Sequence, residues 1–231
     1  MARSVVQPAR ASRPKRRLSD RDTREHLLEI AGQVFAKKGF DRATSREICE
    51  RAGANVAAVN YHFGGIESLY AEVVREANSR LVSLEAISAA VAGHVDARSK
   101  LQAIIGLFIG ALTGPASASW VIRVMGREFV APSPLLQDLR AKEILPKARI
   151  LRSVVAEFME LDADHPAVSR SCISVLAPCF MLLVADRRTL KRAFPSFGLS
   201  ADNAEELAAH FSNFALAGLA AAANAARKHA E

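Results

Sequence analysis

The sequence predicts an all-α protein with a small N-terminal part and a larger C-terminal part. Three observations lead to this prediction. Ala and Leu are abundant, no run of alternating β-branched residues stands out, and apolar residues recur at helical spacing along most of the 231 residues. Because half of the residues are hydrophobic and Gly and Pro are few, the chain has the composition of a globular protein.

Basic residues are concentrated at the N-terminus. Residues 1–25 contain eight Lys and Arg against three Asp and Glu, which accounts for +5 of the net charge of +7. Such a charge suits a polyanionic partner. We interpret residues 1–20 as a disordered basic arm, which is either a solubilising tail or an arm that follows DNA phosphates or enters the minor groove.

Several classes of protein are disfavoured. The first 20 residues lack the apolar segment of a secretory signal, and the apolar stretch at 103–122 is interrupted by Gly, Ser and Pro, so we expect no membrane helix. Three cysteines fit a reducing cytoplasm. Because no catalytic motif, phosphate loop or metal-ligand spacing is present, we expect no enzyme activity, no cofactor and no metal.

The first helix is predicted from Asp22 to Lys38, with Gly39 ending it. Thr44 is predicted to cap the second helix, and Glu47 three residues later predicts a reciprocal capping box.

A helix–turn–helix is predicted between Thr44 and Tyr70. Gly53 lies between two helical patterns and can end the first, and Asn55 can cap the second through its side-chain oxygen. One apolar face is predicted from the spacing of Ile48, Ala52, Val56, Val59 and Phe63.

The outer face of the second of these helices carries small, hydrogen-bonding and aromatic residues: Ala57, Ala58, Asn60, Tyr61 and His62. Small residues let a helix lie deep in the major groove, where Asn can pair with the edge of an adenine. The segment therefore predicts a DNA-binding surface.

One long helix is predicted from Ile66 to Ala92, as the link between the two parts of the chain. A buried helix follows at 100–112, with a glycine at every fourth position: Gly106, Gly110 and Gly114. That spacing favours close packing against a neighbouring helix, and room for a ligand is the alternative. The helix at 119–130 carries Arg123 and Glu128, which are either solvated or orient a polar ligand group.

A long helical region is predicted at 135–161, divided or kinked by Pro146, and a helix at 167–183 is bent by Pro178. A basic cluster at 187–192 is interpreted as a solvated helix end. Asp202 is expected to cap the last helix, 204–228, whose apolar stripe is Leu207, Phe211, Phe214 and Gly218. This stripe favours a homodimer face, and the alternative is that it closes the monomer core.

The segment from about residue 21 to 81 resembles the DNA-binding domain of TetR-type transcriptional regulators, through AKKGF, TSREICERAG and VNYHFGGIESLY. The segments REFVAPSP, LDADHPAV, SVLAPCFMLLVADRRTLKRAF and HFSNFALAGL resemble the CecR-like subgroup. The resemblance implies an N-terminal helix–turn–helix domain at 21–81, a ligand-binding and dimerisation domain at 82–231, and an Ω-shaped homodimer joined by its last two long helices.

The resemblance also implies site residues. Thr44, Tyr61 and His62 match phosphate-contacting positions of the family, and the full predicted DNA-binding set is Thr44, Ser45, Arg46, Asn55, Val56, Ala57, Ala58, Asn60, Tyr61 and His62. One departure is Ile66, where the family usually has a phosphate-contacting Lys. The predicted lining of the ligand cavity is Phe108, Trp120, Arg123, Met125, Glu128 and Phe180.

These inferences predict a cytoplasmic, homodimeric regulator of transcription. It is expected to repress by binding a near-palindromic double-stranded DNA operator and to be released by a small-molecule effector of unknown identity. A nonspecific, architectural DNA-binding protein, in which the basic arm dominates binding, is the alternative.

Overall fold

The computed structural model describes residues 20–114 and 119–228, and within these ranges every regular element is helical. The predicted all-α class is confirmed. The α-helices are α1 (Asp20–Lys38), α2 (Ser45–Ala52), α3 (Ala58–Phe63), α4 (Ile66–Leu81), α5 (Leu84–Ala92), α6 (Ala97–Thr113), α7 (Trp120–Val130), α8 (Gln137–Leu139), α9 (Leu145–Met159), α10 (Pro166–Val184), α11 (Arg187–Ala193) and α12 (Ala204–Lys228).

The described helices enclose two hydrophobic cores. Helices α1–α4, which we call the head, surround the first core, and α5, α6 and α9–α12, which we call the body, surround the second. Helix α7 belongs to both, because Trp120 and Val124 pack into the head core and Ile122 packs into the body core. Leu136 and Leu139 also join the head core. The head therefore packs against the body through α7 as well as continuing into it through α4.

Helix α1 begins at Asp20, two residues before its predicted start. Gly39 follows its last residue with φ +80°, a left-handed conformation that glycine adopts without steric cost, so the predicted end is confirmed. Phe40 then packs back beneath the helix, with its ring centroid 4.9 Å from that of Tyr70. Except for Asp20, the predicted basic arm lies outside the described residues.

The prediction of one helix from Ile66 to Ala92 is wrong, because the chain forms α4 and α5 with a break at Val82. Val82 is extended, and its carbonyl accepts a hydrogen bond from Lys147 Nζ at 2.6 Å. Ser83 caps the start of α5, since its hydroxyl accepts from the Ala86 amide at 3.0 Å. At this break, the Ser83 cap and the hydrogen bond from Lys147 thus replace the backbone hydrogen bonds that a continuous helix would have.

The glycines of α6 do not provide the predicted close packing. A Cβ added to Gly106 or Gly110 would meet no atom within 4 Å, and Gly110 is exposed. Helix α6 instead packs through its other side, where Ile105 and Ile109 are buried in the body core. The glycine edge therefore faces open space in the single chain.

The predicted helical region at 135–161 is helical but not uniform. A 3-10 turn (Pro134–Leu136), α8 and a π-helical segment (Arg140–Ile144) precede α9. Pro146 is the second residue of α9 and supplies no backbone N–H, and the π segment directly before it ends with the Leu145 amide donating to the Arg140 carbonyl. Pro146 therefore marks the division, and the π segment takes up the change in helical geometry before it.

Helix α10 continues through Pro178 and packs against α7, α9 and α12, and the bend at Pro178 stays a prediction. Among the described residues it is the one helix long and apolar enough to meet the criteria for crossing a membrane, which core helices also meet. A third of that apolar window is buried. Much of the rest forms an exposed apolar side that includes Ile173, Met181 and Val184.

The basic cluster at 187–192 is not simply a solvated helix end. The guanidinium of Arg187 donates to the Leu112 carbonyl at 2.6 Å, near the last turn of α6, and burial lowers its pKa. Arg187 therefore joins α11 to α6 by satisfying a helix-terminal carbonyl.

The predictions for the start and the stripe of α12 are wrong in part. Asp202 lies inside a 3-10 turn (Ala201–Asn203) and does not cap α12. Leu207 is buried and Phe211 packs partly against the body core, but Phe214 and Gly218 are exposed. The four residues therefore belong to two faces of the helix, because the inward face continues through Leu216, Leu219 and Ala223.

Candidate nucleic-acid interface

Helix α2 is fixed at both ends by local hydrogen bonds. The Thr44 hydroxyl accepts from the Glu47 amide at 3.2 Å, so the predicted N-cap is confirmed. Gly53 has φ +63°, and its amide donates to the Glu50 carbonyl at 3.2 Å. Only a residue that tolerates the left-handed region makes this turn at low cost, and the turn sets the angle between α2 and α3.

The predicted capping box is incomplete. The Glu47 carboxylate accepts from Lys38 Nζ at 2.6 Å and pairs with Arg51 at 2.9 Å, instead of reaching back to the cap. The bond to Lys38 is the main reason that the pKa of Glu47 is lowered. Glu47 therefore ties α2 to the end of α1.

Asn55 does not cap α3 in the predicted way. Its Oδ1 accepts from the Ala57 amide at 2.9 Å, which closes a turn over residues 55–57, and α3 begins only at Ala58. Asparagine favours such turns because its side chain imitates a backbone acceptor. The Asn55 side chain therefore stabilises the turn at residues 55–57 that leads into α3.

Helix α3 presents opposite faces to the head and to the outside. Val59 is 0% exposed in the head core, whereas Asn60 is exposed and Tyr61 is 76% exposed. Ala58 is half-buried between them. The outer face thus combines a small residue, an amide and a phenol, which are groups suited to base edges and phosphates. Their contact with DNA stays a prediction.

Val56 does not belong to the apolar inner face on which it was predicted. Its side chain is 56% exposed, and its backbone carbonyl accepts a weak hydrogen bond from Cys49 Sγ at 3.7 Å. The turn before α3 breaks the helical spacing, so the side chain of Val56 points away from the core. This exposure is compatible with its predicted place in the DNA-binding set.

The prediction that His62 lies on the outer face is wrong. Its side chain is 8% exposed, with Nε2 3.9 Å from Asp20 Oδ1 and the ring next to those of Tyr61 and Phe63. Asp20 belongs to the first turn of α1, which extends further than predicted. His62 therefore packs against α1 in the head.

The other predicted DNA-binding residues lie near the start of α2 or on the turn. Thr44 and Arg46 are exposed, Ser45 is half-buried and Ala57 is exposed. Arg46 pairs with Glu50 at 2.8 Å on the surface of α2. Ile66, where the related family usually has Lys, packs partly against the head core. An apolar side chain at this position thus extends the core.

A cavity of about 420 Å³ lies in the body beneath α4 and α7. Four residues of the predicted set line it: Phe108, Met125, Glu128 and Phe180. Phe180 also stacks on Phe129, with the ring centroids 4.4 Å apart. The volume is in the range of pockets for small ligands.

Trp120 and Arg123 do not line this cavity, which corrects two of the predicted ligand contacts. Trp120 lies in the head core, where its indole N–H donates to the Glu29 carboxylate at 2.7 Å. A Cβ added to Gly32 would lie 2.4 Å from the indole, so this close contact requires glycine. Arg123 instead lines a surface groove of about 1190 Å³ with Arg127, Arg187 and Arg188.

Sequence reasoning missed two polar contacts that join α4 to neighbouring elements. The Tyr70 hydroxyl donates to the Glu128 carboxylate on α7, and burial with this bond raises the pKa of Tyr70. Lys147 Nζ on α9 donates to Asn78 Oδ1 at 3.1 Å and to the Val82 carbonyl. No spacing pattern indicates these partners, because they are distant in sequence.

Two family models match the chain. Residues 27–73 match the bacterial regulatory proteins of the tetR family, and residues 97–219 match the C-terminal domain of the HTH-type transcriptional dual regulator CecR. The second match covers more than half of the chain. The first ends within α4 and the second begins at α6, so they divide the molecule close to the boundary between head and body.

Curated relatives are similar over part of their length. The HTH-type transcriptional activator FasR of Mycolicibacterium smegmatis is 31% identical over 106 residues, 46% of this chain and 48% of that protein. The HTH-type transcriptional repressor KstR2 of Rhodococcus jostii is 30% identical over 108 residues, 47% of this chain and 52% of that protein. The chain thus spans about half the length of each.

A solved structure of a regulatory protein in the tetR family from Rhodococcus RHA1 has a similar fold. The TM-score is 0.63 at 20% sequence identity, over 84% of this chain and 95% of that chain. This similarity extends through head and body.

Proposed function

Because this chain belongs to the TetR family of bacterial transcriptional regulators, with a C-terminal domain of the CecR type, we propose that it is a homodimeric repressor, released from a near-palindromic operator by a small molecule. Membership of this family makes it a regulator and not an enzyme. Residues 21–81 form the DNA-binding domain in this proposal, residues 82–231 the ligand-binding and dimerisation domain, and residues 1–20 a basic arm. A DNA partner implies a cytoplasmic location.

The outer face of α3 is the observation that carries the proposal. Asn60 and Tyr61 on α3 and Val56 in the preceding turn are exposed. Val59 on the opposite side of α3 is buried in the head core and holds the helix in place. Asn60 supplies the amide for an adenine edge, and Val56 supplies an apolar contact for a thymine methyl group. Thr44 at the start of α2 supplies a hydroxyl and an N-terminal helix dipole for a phosphate.

The exposed sides of α10 and α12 support the homodimer. These two helices pack against each other, and Phe214 on α12 is 74% exposed. The small residues Ala217, Gly218 and Ala221 are exposed beside it, and α10 contributes Ile173 and Met181. An apolar surface of this kind costs free energy in water, and small residues allow helices to approach closely. A twofold pairing of both helices would bury it in a four-helix interface.

The cavity supports effector control, because its wall includes atoms of α4. Helix α4 packs in the head core through Leu69 and Val73 and reaches the cavity through Asn78 and Leu81. A ligand that favours one position of α4 shifts the population of head orientations. A tenfold change in operator affinity needs about 1.4 kcal/mol of coupling.

Genomic DNA selection followed by gel-shift titration tests the proposal. We expect the purified chain to select a near-palindrome and to bind it far more tightly than the same duplex with its bases scrambled. Equal affinity for both duplexes would instead favour the architectural, nonspecific binder. Deleting residues 1–20 separates the two further, since a sequence-specific regulator keeps its preference while its dependence on salt decreases.

A further inference from the structure

The cavity and the attachment of α4 share their polar groups. At one end of α4 the Tyr70 hydroxyl donates to Glu128, and at the other Lys147 holds Asn78 Oδ1 and the Val82 carbonyl. Glu128, Asn78, Val82 and Lys147 all line the cavity. A ligand that engages a polar group in this wall therefore acts on a group that fixes α4.

The carboxylate of Glu128 and the ammonium group of Lys147 differ in how much of their hydrogen-bonding capacity is used. Both Glu128 oxygens are engaged, one by Tyr70 and the other by the Ser133 amide at 2.9 Å. Lys147 donates to two neutral acceptors, and no ion pair found within the described residues includes its ammonium group. An ammonium group has three donors, and two are used here.

The environment of Lys147 favours a negatively charged partner. The side chain is partly buried, and this burial lowers its pKa, an effect that Glu143 and Glu85 oppose from a distance. Arg140 adds a second cation to the cavity wall, and its guanidinium donates to the Ser133 carbonyl at 2.7 Å. With Lys147 and Arg140 against Glu128, the lining carries one net positive charge.

Most of the remaining lining is apolar and includes Leu81, Ile104, Phe108, Leu151 and Phe180. Phe129, Ile144 and Leu145 line the cavity and are also exposed to solvent, which marks an opening between the end of α7 and the start of α9. The π-helical segment ends at this opening, and such segments are frequent at functional sites. The size and the lining of the cavity therefore suit a ligand with an apolar body and one polar group.

We propose that the cavity binds an amphiphilic monoanion, an apolar chain or ring system with one carboxylate, and that this carboxylate pairs with Lys147 Nζ. The inference rests on the proposed function, in which this cavity is the effector site. The carboxylate takes the third donor of the ammonium group. Because a charged acceptor attracts this group more strongly than the neutral Asn78 Oδ1 and Val82 carbonyl do, binding draws Lys147 away from them and weakens the attachment of the C-terminal end of α4 to α9. Lys147 thus both selects the ligand and transmits its binding to the head.

Isothermal titration of the full chain with decanoate and with decanol, below micellar concentrations, tests the ligand class without DNA. We expect decanoate to bind at least about tenfold more tightly, because a hydrogen bond to a charged group contributes more than one to a neutral group. Lys147→Met keeps the apolar stem and should remove the preference while decanol binding remains. Lys147→Arg should retain the preference, and so should the control Lys142→Met, which alters an exposed lysine.

The transmission step has a separate measurement. Hydrogen exchange of the backbone amides from Asn78 to Val82 should increase with decanoate and not with decanol. Equal affinities for the acid and the alcohol in the unmodified chain, tighter binding of decylamine, or an acid preference that survives Lys147→Met would each overturn the inference while leaving the cavity as an effector site. If none of the three probes binds, the inference and the effector role of the cavity both fail, while operator binding stands.

Discussion

The outer face of α3 and the wall of the body cavity are built in different ways. The α3 surface belongs to a single helix–turn–helix formed by consecutive residues. Hydrogen bonds at Thr44 and Asn55 and the left-handed conformation of Gly53 fix its geometry locally. The cavity takes its lining from α4, α5, α6, α7, α9 and α10, over residues 78–183. The first surface therefore depends on short-range turns and caps, whereas the second depends on how distant helices pack.

Helix α4 takes part in both regions. Its residues from Leu69 to Ala77 pack in the head core, and its last turn contributes to the cavity and ends at Leu81, directly before Val82. The comparison therefore predicts that substitutions in the head act mainly on DNA binding, and that substitutions in the body act mainly on ligand binding and association.

The largest effect is expected from Val59→Asp, compared with Val56→Asp in the same segment. The first places an unpaired carboxylate in the head core and should lower the free energy of unfolding by about 4 kcal/mol or more. The second changes an exposed side chain and should stay within about 0.5 kcal/mol, while the added charge repels operator phosphates. Urea denaturation measures both, and similar unfolding midpoints would contradict the assignment of two faces to α3.

Phe214→Asp should weaken association by about 3 kcal/mol, since two symmetric copies each lose the burial of an aromatic side chain. Sedimentation equilibrium measures the effect. The control is Val95→Asp, which alters an exposed valine between α5 and α6. A dimer that persists unchanged in Phe214→Asp would show that α12 does not form the interface.

Asn60→Ala should reduce operator affinity by about 2 kcal/mol and relax the base preference at one position in each half-site, because an asparagine amide can pair with an adenine edge. Gel-shift titrations against single-base variants measure this effect, with Gln102→Ala on α6 as the control. If affinity falls equally for every sequence, Asn60 contacts the backbone and not a base.

The smallest effects are expected from removing one helix cap in each region. Thr44→Ala and Ser83→Ala each remove a hydroxyl that accepts from a backbone amide, so each should cost about 1 kcal/mol of stability. In addition, Thr44→Ala should weaken operator binding directly, whereas Ser83→Ala should not alter a DNA contact. Thermal unfolding together with gel shifts distinguishes them, and equal losses of operator affinity would remove the proposed phosphate contact of Thr44.

Local signals in the sequence were enough to predict most of the head. Thr44 specifies the start of α2, and Gly53 specifies its end and the turn that follows. The apolar Val59 next to the polar Asn60 distinguishes the buried face of α3 from the exposed one. His62 was placed wrongly because its partner Asp20 belongs to an extra first turn of α1 that no apolar periodicity marks. Val56 was placed wrongly because it lies in the turn at residues 55–57, before α3 begins at Ala58, so helical spacing does not determine which way its side chain points.

The body could be predicted only in part. Phe108 and Phe180 were expected near a cavity because they belong to apolar helices, but Trp120 has the same local signature and packs into the head. The bond from Lys147 to Val82 joins residues 65 positions apart, so periodicity gives no sign of it. Which side of an apolar helix faces the core is decided by its neighbours, as Gly110 and Phe214 show.

Hydroxyl-radical footprinting of the selected operator tests the central claim most directly. If the outer faces of two α3 helices enter the DNA, protection should appear in two symmetric patches. Their centres should be separated by one helical turn or a multiple, about 34–36 Å per turn, and Asn60→Ala should weaken both patches. Continuous protection without symmetry, unchanged by Asn60→Ala, would contradict the claim.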